Sequence, residues 1–226
     1  MDLGLKDVHV LVTGTVPLTT RPDAPDQLDQ RMDRQVQAEV SVSRPPNFTA
    51  VSPHGLCASL IPSERPNVPA LGAEVTAHYN TRYGPLENLS GDYSNLQTVQ
   101  AELSDETSVT NMFTAIAHAG PVQVLVVTHG TRSTEDVPVA DLSLRQWNQT
   151  VSANLTASFL VCREYLKQLR NATPEVKEKA AIVLVGSTAG KYGEAGHVDY
   201  AVTKSGVYLF MYIMLDLSDR RAFFQR

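Results

Sequence analysis

The stretch Ala181–Lys204, AIVLVGSTAGKYGEAGHVDYAVTK, decides the reading of this chain of 226 residues. Ala181 to Val185 is a short apolar run with β-branched side chains, closed by Gly186, the pattern of a strand covered on both faces in a parallel sheet. Ser187 follows at once, which places its hydroxyl past the carboxyl end of that strand, where open α/β sheets bind ligands. Tyr200 and Lys204 stand four residues apart in YAVTKSGVYLFM, a segment that reads as a helix, so both project from one face. A phenol with a pKa near ~10 keeps its proton at neutral pH. An ammonium about 4 Å away would favour the phenolate by roughly 4 kcal/mol at an effective dielectric near ~20, or about three pKa units. A tyrosine tuned in that way is a general acid or base, and Ser187 can hydrogen-bond the same substrate oxygen. Taken alone, the spacing also suits a surface Tyr/Lys pair on an amphipathic helix.

Outward from this stretch, composition narrows the class. A chain of this length that is 42% hydrophobic can bury the core of one α/β domain. A net charge of -5 excludes the electrostatic footprint of a nucleic-acid or anionic-membrane binder. The amino-terminal MDLGLKDVHVLVTG has no basic flank or signal-type apolar run, and no segment reaches the ~20 apolar residues of a membrane span. The expectation is a soluble, cytoplasmic protein. Cys57 and Cys162 lack metal spacing and are ordinary thiols, while the sequons at Asn47, Asn88, Asn148, Asn154 and Asn171 are chance matches in a chain without a secretion signal.

Ser187 lies thirteen residues before Tyr200, and VLVVTHG and VSANLTASF lie upstream. With these motifs the chain resembles the short-chain dehydrogenase/reductase family over Leu3 to Gly14 and Leu71 to Val207. The resemblance implies a Rossmann-like, doubly wound parallel sheet in a single α/β domain. It also implies a catalytic tetrad of Asn154, Ser187, Tyr200 and Lys204. In that family the tyrosine exchanges a proton with the substrate oxygen and the serine orients it. The lysine lowers the tyrosine pKa and holds the nicotinamide ribose, and the asparagine anchors a relay water. The implied substrate is a small carbonyl or alcohol compound, and homo-oligomer formation is open. An extended-branch epimerase also uses a Tyr/Lys pair, but needs a longer substrate domain.

Val8 to Thr13 reads as the first strand, and Gly14 is where a glycine-rich phosphate turn should open. The family pattern does not continue: no glycine follows until Gly55, and Pro17, Pro22 and Pro25 would break the next helix. Residues 15–70 hold nine of the 13 prolines and no sustained period, so they read as an irregular insertion outside the core. A retained intron or mispredicted gene accounts for them, with a genuine insertion as the alternative. Glu74 to Tyr79 reads as the second strand. Asn80-Thr81-Arg82 follows with no acid to hold a ribose 2′-hydroxyl, so Arg82 favours NADP over NAD.

A third strand is expected near 97–101, and Glu102-Leu103 resembles the family's acid-plus-aliphatic pair beside adenine. Ser104-Asp105-Glu106 should cap a helix through Val109, Phe113 and Ile116. A fourth strand near 122–127 leads to Thr128-His129-Gly130, where the family has N-A-G or N-H-G; Thr128 departs from it, Gly130 lies at the cofactor edge, and His129 reads as a turn residue. Leu144 to Arg170 reads as one amphipathic helix that carries Asn154, with Trp147, Val151, Leu155, Phe159, Cys162 and Leu166 along its apolar face. After Lys204 the family's last strands and substrate loop are not recognisable, so truncation is expected as well. An oxidoreductase and a catalytically inactive or interaction-only product therefore compete, and NADP(H) binding by this polypeptide is expected to be weak or absent.

Overall fold

The computed structural model describes residues 6–14, 40–42, 72–81, 83, 86 and 93–219, with side chains of the last helix as far as Phe210. Strands β1 (His9–Thr13), β2 (Val40–Val42), β3 (Glu74–Tyr79), β4 (Leu96–Gln100), β5 (Val124–Val127) and β6 (Ala181–Val185) form one sheet in the order β2-β6-β5-β1-β3-β4. Five of them run parallel; β1 lies between β3 and β5, pairing Val10 with Val75 on one side and with Val124 on the other. Chain order reverses at β1, which makes the crevice beyond the carboxyl ends of β1 and β5 the topological switch point. The expected strands at 74–79 and 181–185 are met residue for residue, and the others are displaced by one or two positions at an end.

Val40–Val42 corrects the expectation that 15–70 stands wholly outside the sheet, because it pairs antiparallel with β6, Val40 opposite Val185 and Val42 opposite Val183. Val-Ser-Val suits a short edge strand, which needs partners on one side only. The rest of 15–70, and with it the loop after Gly14, lies outside the described residues.

The strand sequences are apolar because both faces of the sheet are buried. Leu11, Leu125, Val127, Ile182 and Leu184 point to one side, and Val10, Val12, Val75, Val124, Val126 and Val183 to the other. Helix α1 (Glu106–Ile116) packs Val109, Met112, Phe113 and Ile116 against the first side. Its N-cap is Asp105, as the sequence indicates, with the Ser108 amide donating to Oδ1 at 2.6 Å.

The helix expected over 144–170 is interrupted. It comprises α2 (Leu144–Val151), a π turn (Ser152–Thr156) and α3 (Ala157–Arg170); the Ala157 amide donates to the Ser152 carbonyl five residues back. One extra residue in a turn rotates everything beyond it by about 100°. The buried stripe of α3 is accordingly Ala157, Leu160, Val161, Cys162, Tyr165 and Leu169; Cys162 lies inside as expected, while Phe159 and Leu166, also expected inside, are exposed. Short helices α4 (Pro174–Glu178) and α5 (Thr188–Tyr192) flank β6, and α6 runs Val198–Asp219, through the residues that follow Lys204.

Candidate active site

Three devices deliver the four expected catalytic residues to the carboxyl edge of the sheet. Ser187 stands two residues past β6 and caps α5, its Oγ accepting the Ala189 amide at 3.2 Å. Tyr200 and Lys204 come from the first two turns of α6, whose start is pinned by Asp199: its carboxylate accepts from Thr150 at 2.7 Å and Gln146 at 3.3 Å on α2. Asn154 comes from the π turn. Its side chain grips the backbone of Thr131 at both ends, Oδ1 accepting the amide at 2.6 Å and Nδ2 donating to the carbonyl at 2.8 Å, and it donates further to Thr203 Oγ1 at 3.1 Å. Such a grip draws the helix out of its regular ladder, which gives the π turn a local cause.

The four side chains converge. Ser187 stands near enough to Tyr200 for hydrogen bonding between the side chains to draw the phenol down. Lys204, only 6% exposed, donates from Nζ to the Val185 carbonyl at 3.0 Å and stands 5.9 Å from the centre of the Tyr200 ring. Gly130 separates Lys204 from Asn154: a Cβ there would lie 3.3 Å from Asn154 Oδ1 and 3.6 Å from Lys204 Nζ.

The electrostatics differ from the sequence expectation. Burial, the largest influence, holds the Tyr200 phenol above its ordinary value, although the Ser187 hydrogen bond and Arg132 pull it down; Glu194 pushes it up. The ammonium expected about 4 Å from the phenol is instead turned to the strand carbonyl, and its own burial lowers it to about 8. The phenol is therefore a proton donor throughout the neutral range.

The departure at Thr128 is repaired in place, since its hydroxyl donates to the Thr13 carbonyl and, at 3.3 Å, to that of Gly14. Gly14 has φ +75, and a Cβ would lie 2.5 Å from His129 Cα, so only glycine fits where β1 meets the β5 loop. Its amide donates to His78 Nδ1 at 3.3 Å. Glu102 accepts from Ser104 Oγ at 2.7 Å and from Asn80 at 3.0 Å; Leu103 is buried beneath it. Arg82 lies outside the described residues. For a dinucleotide, the ribose end fits: the Lys204 ammonium has donors beyond the one given to Val185, and Gly130 leaves the floor clear.

Sequence reasoning missed Arg132 and Glu194, which pair at 2.5 Å across the site from two loops, because nothing in local spacing joins residues 62 apart. It also missed the partners of His129.

This sheet order, with Ser187, Tyr200, Lys204 and Asn154 gathered near its switch point, is a Rossmann-like fold. A solved short chain dehydrogenase from Mycobacterium smegmatis has the same fold, with TM-score 0.64 and 19% identity, covering 95% of this chain and 72% of that one. The family model described as short chain dehydrogenase matches residues 69–220, and the chain belongs to that family. Among relatives, the uncharacterized oxidoreductase YgfF of Escherichia coli K12 is 39% identical over 111 residues, 48% of this chain and 44% of that protein. The NADPH-dependent aldehyde reductase-like protein, chloroplastic, of Arabidopsis thaliana is 24% identical over 159 residues, 64% of this chain and 57% of that protein. The chain thus spans about half the length of the relatives it matches.

Proposed function

We propose that the chain is an NADP-dependent oxidoreductase that reduces a small carbonyl substrate to the alcohol. The observation that carries this reading is the gathering of Tyr200, a Ser187 near enough to draw its phenol down, and a buried Lys204 at the sheet's carboxyl edge. Tyr200 Oη gives its proton to the substrate oxygen as negative charge develops there, and a phenol held above its ordinary pKa is fully protonated for that task at neutral pH. Ser187 Oγ supplies a second hydrogen bond to the same oxygen. Lys204, turned to the Val185 carbonyl, would hold ribose hydroxyls, while Asn154 fixes the loop after β5 through Thr131. Bound NADPH would supply the hydride. Gly14, Gly130, Glu102, Leu103, Tyr200 and Lys204 would line its site, with Arg82 at the 2′-phosphate.

The absence of an acid at Asn80-Thr81-Arg82 supports NADP over NAD, and so does the name of the Arabidopsis relative. A cytoplasmic location belongs to the same proposal; no helix among the described residues is long and apolar enough to cross a membrane. A second reading, an inactive family member, is favoured by the proline-rich sequence that stands where the glycine turn should be. Nicotinamide consumption in the presence of aldehydes and ketones, with millimolar NADPH or NADH, decides between them. Preferential use of NADPH supports the oxidoreductase, and no consumption of either at any concentration supports the inactive product.

A further inference from the structure

Beside the proton-transfer site, a half-buried His129 links two buried hydroxyls in a chain that the proposed chemistry does not use. Thr13 closes β1 and is fully buried, His129 follows β5, and Ser158 lies in the first turn of α3 with 3% exposure. Ser158 Oγ donates to the main-chain carbonyl of Asn154 at 2.6 Å. A hydroxyl has one proton, so toward His129 Nε2, 3.4 Å away, Ser158 accepts. The Thr13 hydroxyl has the Val126 carbonyl at 3.4 Å and His129 Nδ1 at 2.8 Å; its proton goes to the nearer Nδ1, so Nδ1 is the acceptor and Nε2 carries the ring proton. The His129 backbone rests directly against Gly14, which fixes the point from which the ring projects.

We infer that His129 is a positioning residue for the proton-transfer site: a neutral imidazole, protonated on Nε2, that acts through Ser158 on the Asn154 carbonyl and so fixes the π turn whose side chain grips Thr131. Neutrality has a physical cause. Burial first, and then the Lys204 ammonium, push His129 down to about 3, so the ring has no second proton at any working pH. One chain of hydrogen bonds thereby ties the end of β1 to the residue that holds the β5 loop. A serine hydroxyl bonded four residues back along a helix is by itself common. What distinguishes this one is the imidazole behind it, which fixes where the hydroxyl proton points.

The inference rests on the proposed role of the site, but its test needs no cofactor. Hydrogen exchange is followed in the full chain at the Thr131 amide, which is held by Asn154, and at Val75 in β3 as the remote reference. His129→Leu keeps bulk and removes both hydrogen bonds; His129→Gln keeps an N–H toward Ser158. The expected result is exchange at Thr131 about tenfold faster in His129→Leu and in Ser158→Ala, rescue to within about threefold of wild type in His129→Gln, and no change at Val75. Unchanged protection of Thr131 in His129→Leu would overturn the inference, leaving the serine contact as ordinary helix back-bonding. Should the leucine variant fail to fold, the wild-type histidine decides. Long-range proton–nitrogen spectra are expected to show a neutral Nε2–H ring from about pH 5 to 9, and an Nδ1–H ring or a titration in that range overturns the assignment. Loss of Thr131 protection in a chain that never oxidises NADPH would remove the proposed function while leaving this contact standing.

Discussion

Lys204→Met should make the folded chain more stable at pH 7. Lys204 is 6% exposed, and burial brings its pKa from 10.5 to about 8. At 1.36 kcal/mol per pKa unit, that gap corresponds to about 3 kcal/mol of unfavourable charge burial. The ammonium also donates to the Val185 carbonyl at 3.0 Å, and losing a charged hydrogen bond costs about 1.5 to 3 kcal/mol. The two leave a net gain for the variant of about 1 kcal/mol at neutral pH. The pH dependence is the sharper readout. The folded-state pKa is depressed, so below about 8 both folded and unfolded chains carry the charge and the cost is fully present. Between 8 and 10.5 the folded chain has shed a proton that the unfolded chain keeps, and wild-type stability rises; above 10.5 the cost is gone. Urea unfolding of both proteins, followed by circular dichroism from pH 7 to 10.5, should show wild type gaining about 3 kcal/mol relative to the variant. Alkaline titrations shared by both proteins, such as Tyr165, cancel in the difference. A difference that stays flat within about 0.5 kcal/mol across that range would refute the claim that the ammonium is held at a desolvation cost.

Gly14→Ala should destabilise by about 3 kcal/mol in urea unfolding, since it sets a Cβ 2.5 Å from His129 Cα at a positive φ. Tyr165→Phe removes the hydroxyl that donates to the Gln123 carbonyl at 2.6 Å and should cost about 1 to 2 kcal/mol in the same assay. Reductive kcat/KM should be level below pH 8 and fall above it as Lys204 loses its charge, which a profile from pH 6 to 10 checks. NADPH titration followed by nicotinamide fluorescence should show weak binding, far from saturation at low micromolar concentration. Arg82 alone offers about 1 kcal/mol against the ~8 kcal/mol of a micromolar complex; saturation at low micromolar concentration would show that the sequence after Gly14 supplies a phosphate cradle of its own.

Much of the sheet was legible because buried parallel strands leave continuous apolar runs between turn residues, as at Glu74–Tyr79 and Ala181–Val185. Tyr200 and Lys204 were legible as a pair because helical spacing alone puts them on one face. Their electrostatics were not, since the partner of Lys204 is a carbonyl nineteen residues away at the end of β6. The π turn at Asn154 left no mark either. Its cause is the backbone of Thr131 on another loop, and the one-residue phase shift it imposes is why Phe159 and Leu166 were expected on the wrong side of α3. Val40–Val42 is three residues long, too short for a period of two to register. His129 looked like a turn residue because its partners, Thr13 and Ser158, come from elements that only the fold brings together.

The central claim is that Tyr200, aligned by Ser187 and set beside Lys204, gives the proton that completes carbonyl reduction. Turnover of an aldehyde by wild type and by Tyr200→Phe, both with millimolar NADPH, tests it most directly, because the substitution removes only the transferable proton and leaves the buried ring. A fall of about a hundredfold or more in kcat with the variant's unfolding midpoint within reach of wild type is the predicted result. Equal turnover by the two proteins would contradict the account.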